Sequence, residues 1–270
     1  MTGARSAFLV AVAFACAHFP ANAQTLQDQM LLQRGLAPQP APGEWSVTLG
    51  GGIGSGPRFQ GANTDRTRFD PLIEILYGRT LSFGLNGLAW NAINTDHFRA
   101  GPVLGFQGGR RDNADPHLYG LGDIHSSLTG GVFANYRVGP FNVGATIRQS
   151  ITHSSNGLSG LAHLDYLIRM PIRRTFIVLG PDFEFANSQY NQTWFGITPT
   201  QSFDSGLPVF TPRGGLKDVG IHGTVTHFFT QHVLIRGLVS FKDIVGDAAN
   251  SPIVEDRHQV HFGVGLAYHF

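Results

Sequence analysis

Cysteine is all but missing from these 270 residues: the one present is Cys16, near the start of the chain. The rest of the chain therefore offers no disulfide and no thiolate metal ligand. Long apolar runs are scarce too. Past residue 23 no stretch supplies the roughly 20 apolar residues a spanning helix needs, although 42% of the chain is hydrophobic. Charge is sparse and balanced, 19 basic against 18 acidic residues, so a nucleic-acid partner has no electrostatic support. The twelve histidines form no HExxH and no Cys/His set. His258 and His261 are three apart, a spacing for a helix face rather than a strand face. The glycine run at 50–56 leads into Pro57 with no helical pattern behind it, which excludes a dinucleotide loop. Neither metal nor cofactor is expected.

What is present is alternation. The run His258 to Phe270 puts Val260, Phe262, Val264, Leu266, Tyr268 and Phe270 on one face, and His261, Gly263, Gly265, Ala267 and His269 on the other. A strand with one greasy and one small or polar face, ending on an aromatic, reads as the closing strand of a bacterial outer-membrane barrel. Phe262, Val264, Leu266, Tyr268 and Phe270 are then the C-terminal signal for the barrel-assembly machinery. At the other end, Arg5 precedes the apolar run Ala7 to Phe19, and Ala21-Asn22-Ala23 supplies a cleavage site, so residues 1–23 read as a signal peptide. Residues 24–43 turn proline-rich and read as a periplasmic linker. Residues 44–270 read as one domain, an all-β antiparallel transmembrane barrel in the outer membrane, with outer-membrane lipid around it. The 35 glycines and 21 phenylalanines suit that fold, glycine relieving crowding on a curved wall and phenylalanine facing lipid.

Other segments alternate in the same way. Residues 231–243 set Val233, Ile235, Val239 and Phe241 against Arg236, Ser240 and Lys242; residues 174–186 set Ile177, Leu179, Phe183 and Phe185 against Gly180, Asp182 and Glu184. Residues 140–153 read as a further strand. A charge at the bilayer midplane costs about 2–4 kcal/mol, so the charged face is the lumen. Asp70, Glu74, Arg99, Arg137, Arg148, Asp165, Arg169, Asp182, Glu184, Arg236 and Lys242 are accordingly expected to point inward, where their mixed signs favour pairing over an ion-selective funnel. Tight turns at 138–140, 171–173 and 230–231 belong at the periplasmic end, and the long connections 110–124, 187–215 and 244–257 at the outer end. The longest carries Tyr190, Trp194, Phe195 and Phe210, aromatics that lean toward packing inward. Eleven strands can be counted directly, but termini on one side require an even number. Splitting 80–93 into two short strands near Asn86-Gly87 gives twelve, with ten as the alternative.

Several segments together resemble the MltA-interacting protein/OmpV family of outer-membrane barrels. They are Gly50-Gly51-Gly52-Ile53-Gly54 running on to Phe69-Asp70-Pro71-Leu72-Ile73; Leu118-Tyr119-Gly120-Leu121-Gly122-Asp123; Tyr190-Asn191-Gln192-Thr193-Trp194-Phe195-Gly196-Ile197-Thr198-Pro199 with Gly214-Gly215-Leu216-Lys217-Asp218-Val219; and Val245-Gly246-Asp247-Ala248-Ala249-Asn250-Ser251-Pro252-Ile253-Val254. The resemblance implies a barrel without a known catalytic centre. It further implies that the name-giving member is a scaffold between a murein hydrolase (a lytic transglycosylase) and a murein synthase.

One local motif points elsewhere. His153-Ser154-Ser155-Asn156-Gly157 is similar to the His-x-Ser-Asn motif of outer-membrane phospholipase A and lipid A deacylase. His153 and Ser155 would share a face if the strand extended that far. A serine nucleophile needs a base, and the base an orienting group. The position matching that third member is about Leu167, which can orient nothing. The leading expectation is therefore a non-enzymatic scaffold of the cell envelope. A small-solute pore is the alternative, and a lipid-directed hydrolase at His153 and Ser155 the second.

Overall fold

The computed structural model describes residues 40–85 and 87–270. The signal peptide read at 1–23, and most of the linker read at 24–43, lie outside the described residues. Alternation has become thirteen antiparallel strands: β1 (Trp45–Pro57), β2 (Asp65–Tyr77), β3 (Leu81–Gly84), β4 (Gly87–Trp90), β5 (Ile93–Asn94), β6 (Phe98–Gln107), β7 (Ser127–Val138), β8 (Phe141–Ser150), β9 (Leu158–Arg169), β10 (Thr175–Ala186), β11 (Gly215–Phe228), β12 (Val233–Ile244) and β13 (His258–His269). From β6 onward each pairs with its neighbour in sequence, and β13 returns to β1 in the register Thr48↔His269 to Ser55↔Phe262.

β4 and β5 are two pieces of one interrupted strand. Both lie on β6, through Leu88↔Leu104 and Ala89↔Val103, then through Ile93↔Ala100 and Asn94↔Arg99. Counting them as one, the sheet closes into a twelve-strand barrel. The break expected in 80–93 separates β3 from β4, which meet at Gly84↔Gly87. Gly87 is needed there: its φ is +104°, and a Cβ would run into the carbonyl of Leu104.

The two faces differ in chemistry as the alternation requires. Ile53, Phe69, Val132, Ile147, Phe241, Phe262 and Leu266 stand exposed on the outside of the wall. Trp45 and Tyr77 (ring centroids 4.7 Å apart), Phe141 and Tyr166 (4.9 Å), and Tyr268 and Phe270 (4.8 Å) form an aromatic girdle at the end where the short turns lie. Thr48, Glu74, Asn142, His163, Asp165, Asp182, His222 and Ser240 are buried on the inside. An apolar belt outside a closed barrel with a polar lumen places the protein in the outer membrane.

At the opposite end the connections 58–64, 108–126, 151–157, 187–214 and 245–257 fold together as a lid. The fourth contains helices α1 (Ser188–Phe195) and α2 (Pro199–Ser205), each N-capped by the residue before it: Asn187 accepts from the Tyr190 amide and Thr198 from the Gln201 amide. Two apolar cores hold the lid. One joins Ala186, Tyr190, Trp194, Phe195, Ile244, Ala248 and Ala249. The other joins Phe59, Ala62, Leu118, Leu121, Ile197 and Ile253. Phe195, Ile197, Leu118 and Ile253 have no exposed surface at all. The inward lean read for Tyr190, Trp194 and Phe195 is therefore what the fold adopts, and Phe210 is partly buried against the second core.

One strand is shorter than expected. β8 stops at Ser150 rather than running to 153. Thr152 turns its Oγ1 to accept from the Leu128 amide at 3.1 Å, and Ser154–Asn156 wind into a short 3-10 turn. Asn156 is buried there, donating to the His125 carbonyl at 2.8 Å.

Candidate functional site

The polar interior, together with the lid above it, is where the chain concentrates its chemistry. Its upper part is organised by a β-bulge. The β10–β11 register shifts between Glu184↔Asp218 and Phe185↔Leu216, so Lys217 is an extra residue on β11. A bulge re-aims a side chain that strict alternation would send outward. Lys217 and Asp218 consequently both turn inward. The Lys217 ammonium bonds Asp218 and donates to Glu184 Oε2 at 2.6 Å, while Lys242 donates to Glu184 Oε1 at 2.6 Å. Gln60 of the lid donates to Asp218 at 2.7 Å. The Tyr190 ring lies over the ammonium, 5.6 Å from nitrogen to centroid. Burial pushes the Tyr190 phenol up to about 12, against the pull of the nearby Lys217 cation.

Lower down, β8 to β11 contribute a second cluster. His222 lies between two carboxylates, Nδ1 at 2.7 Å from Asp182 and Nε2 at 3.3 Å from Asp165. Asn142 donates to Asp165 at 3.0 Å, and His163 stands 3.6 Å from the same carboxylate. His222, Asp165, Asp182 and the Asn142 amide NH2 thus partner one another, as buried polar groups generally do. Near β2, Arg68 holds Asp70 at 3.1 Å. Glu74 has Arg236 as its charged neighbour, and Arg236 donates to Thr226 at 3.0 Å.

Of the charges expected inward, Glu74, Asp165, Asp182 and Glu184 are buried, and Asp70, Arg99, Arg137, Arg148, Arg236 and Lys242 are half-buried. Arg169, the last residue of β9, is exposed at the periplasmic rim. Sequence reasoning gave Lys217, Asp218 and His222 no inward role, while the alternation of 140–153 already sets Asn142 on the lumen face. Alternation along β8 and β11 carries the signal for Asn142 and His222. Nothing in the sequence marks the bulge that brings in Lys217.

The lid is tied across the mouth by polar contacts as well as its cores. Buried Arg110 donates Nη1 to the Trp194 carbonyl at 2.8 Å, and its burial lowers the guanidinium to about 10. Ser251 donates to the Phe195 carbonyl at 2.6 Å, and Gln201 to that of Leu121 at 2.5 Å. Four steps around the ring separate β6 from β10, so the Arg110–Trp194 bond ties the fourth connection to the second across part of the mouth.

His153 and Ser155 are brought to the rim but not to each other. With β8 ended, they occupy the exposed 3-10 turn and its N-cap rather than one strand face. The His153 ring stacks on His125 at 5.5 Å, and the Ser155 carbonyl accepts from Thr193 at 2.5 Å. No hydrogen bond joins the His153 ring to the Ser155 hydroxyl among the described residues. No group of three or more His, Cys, Asp or Glu side chains among them is placed to hold a metal ion either.

In three dimensions the chain is similar to OprB of Pseudomonas putida, at 11% identity and TM-score 0.40, covering 75% of this chain and 59% of that one. It is also similar to an outer membrane channel of Pseudomonas putida F1 (11% identity, TM-score 0.38, 87% and 100% covered) and to OprD of Pseudomonas aeruginosa (10%, 0.34, 87% and 96%). Likenesses this loose say nothing about what passes through or docks on the barrel. No curated protein sequence matches the chain. A family model does, over residues 49–270, and by that match the chain belongs to the family of MltA-interacting protein MipA.

Proposed function

We propose that this outer-membrane barrel is a non-enzymatic scaffold of the cell envelope, holding murein-processing enzymes at its periplasmic side. The observation that carries this reading is a charge-paired interior under a closed lid. Charges in the lumen pair with one another, and five connections close the outer mouth around two apolar cores. Such a barrel is built to stand in the membrane rather than to pass solutes. The family's description, MltA-interacting protein, supports a partner-binding role, and the resemblance read in the sequence implies a murein hydrolase as that partner with a murein synthase beside it. Residues 24–43 and the short turns are the surface it offers to the periplasm. The separation of His153 from Ser155, with no orienting group beside the histidine, supports a role without catalysis.

The test is crosslinking of intact cells followed by purification of the tagged barrel. The expected result is recovery of a murein hydrolase or synthase, lost when residues 24–43 are deleted. A barrel that brings down only assembly machinery, and gives conductance steps in planar bilayers, would replace this reading with the small-solute pore.

A further inference from the structure

The turns at the periplasmic end differ in charge. The turn 138–140 carries none, and Phe229-Thr230-Gln231-His232 holds no acid, lysine or arginine. Arg79, on the turn after β2, is paired with Asp96 at 3.1 Å. The turn between β9 and β10 departs from this pattern. Arg169 at its neck, followed by Arg173 and Arg174, puts three arginines within residues 169–174 and no acid among them. All three are exposed, and none makes an ion pair among the described residues. Arg169 has Arg137 of β7 as a charged neighbour, so it belongs to the mouth of the lumen. Arg173 and Arg174 belong to the turn itself.

Arg174 is also unexpected for its backbone. Its φ is +63°, and every other described residue with a positive φ is a glycine. The left-handed conformation costs a residue with a Cβ about 1–2 kcal/mol, which glycine avoids. Hydrogen bonds fix that conformation. The Thr175 amide donates to the Ile172 carbonyl at 3.2 Å, the Met170 amide to the Thr175 carbonyl at 3.2 Å, and the Phe228 amide to the Arg174 carbonyl at 3.1 Å. These are backbone bonds, and a glycine at 174 would keep them all. Within the chain the guanidinium holds nothing in place, so the strain retained here points to a contact outside it.

Beside these arginines the surface is apolar. Ile172, on the same turn, is 60% exposed, and Phe229, on the turn after β11, is 57% exposed. The bond from Phe228 to Arg174 joins the two turns, so both side chains belong to one surface. That surface lies on the periplasmic side of the girdle. Tyr166, whose ring packs on Phe141 there, precedes Arg169 on β9. At a strand rise of about 3.3 Å per residue, even a tilted strand carries the turn several ångströms past the girdle. Lipid tails end at the girdle and do not cover Ile172 and Phe229. A charged glycan polymer would leave them exposed. Apolar anchors beside arginine are the composition of a protein-binding patch, and cations without acids suit a partner that brings carboxylates.

We propose that the β9–β10 turn, with Phe229 beside it, docks an acidic patch of a periplasmic protein: Ile172 and Phe229 enter an apolar cleft, and Arg173 and Arg174 meet carboxylates at its rim. This rests on the scaffold reading and names the surface to which a murein enzyme attaches. The test places photoreactive benzoylphenylalanine at Ile172 or Phe229 of the tagged full-length barrel in cells, with Phe141 in the girdle as the lipid-facing reference. Only barrels with the heat-modifiable mobility of a folded barrel are scored. The expected result is one protein adduct shared by Ile172 and Phe229, absent at Phe141, whose peptides identify the murein enzyme that co-purifies. Arg173→Glu combined with Arg174→Glu should lower the Phe229 adduct about tenfold. Arg174→Gly should lower it severalfold while the urea midpoint holds or rises, which loss of a merely structural arginine would not give. Phospholipid adducts at Ile172 as frequent as at Phe141, murein-glycan adducts, or protein adducts indifferent to both variants would overturn the docking surface. A hydrolase or synthase that co-purifies but gives no adduct at either position would overturn it too, and leave the scaffold standing. An arginine-dependent adduct to a periplasmic protein that processes no murein would uphold the docking surface and remove the scaffold reading.

Discussion

Lys217 shows what one residue does when the backbone slips by one. Without the bulge it would point out of the wall near the outer rim, where a cation on the lipid face costs up to about 1 kcal/mol. With it, the ammonium lies between Glu184 and Asp218, two carboxylates that would otherwise share the single cation of Lys242. Lys242 and Gln60 each hold one of these acids already, so Lys217 is the group that reconciles them. Substituting Lys217→Met keeps the stem and removes the charge. Breaking a buried pair from one side costs about 3–5 kcal/mol, and the variant is expected to unfold at clearly lower denaturant. The loss of heat-modifiable mobility along a urea series measures it. A midpoint equal to the parent's would mean that the two acids are compensated without Lys217.

At the level of elements, the lid depends on α1. Trp194 and Tyr190 stack at 5.8 Å, and both are buried between β10, β12 and the last connection. Trp194→Ala removes the largest buried side chain, a loss of about 3–5 kcal/mol, and frees the Arg110–Trp194 tether to move. The barrel itself should still form, since its ladders do not involve α1. Planar bilayers should then show conductance steps for the variant and none for the parent; silence from both would mean that the lumen is filled below the lid. The elements also show how far sequence carries. The long strands were legible because side-chain period two leaves a residue no third option. Even the split in 80–93 follows from parity plus a glycine. The end of β8 was not legible, because Ile151 keeps the apolar alternation going while Thr152 and Asn156 spend their polar atoms on neighbouring loops. Nor were the partners inside the lumen legible. Alternation says which way Asp165 and His222 point, and only register brings them within 3.3 Å. The bulge at Lys217 and the lid's cores are tertiary facts with no periodic signature.

For the whole molecule the decisive event is closure. β13 is bonded on both sides, to β12 from Val233↔Tyr268 to Asp243↔His258 and to β1 from Thr48↔His269 to Ser55↔Phe262. The other ladders join segments near in sequence; the β1–β13 seam joins the two ends of the barrel. Its loop-closure entropy is the largest in the fold, so it is expected to form late. Phe270 sits at that seam. Its amide donates to the Val47 carbonyl at 2.8 Å and its ring packs edge-on against Tyr268 at 4.8 Å, holding the last residue to the girdle. Removing Phe270 takes away one hydrogen bond and one aromatic contact, about 1 kcal/mol each at most, which leaves the finished barrel stable. The larger effect should fall on assembly, where the final strand must be held while β1 is found. Deleting Phe270 is therefore expected to lower the yield of heat-modifiable barrel in the outer membrane severalfold, with little change in the urea midpoint of what does assemble. Phe203→Ala, at a side chain 90% exposed on α2, is the matched loss of an aromatic and should leave both unchanged. Equal yields with and without Phe270 would mean that the seam closes without help from the end of the chain, and would move the assembly signal back to Phe262, Val264, Leu266 and Tyr268.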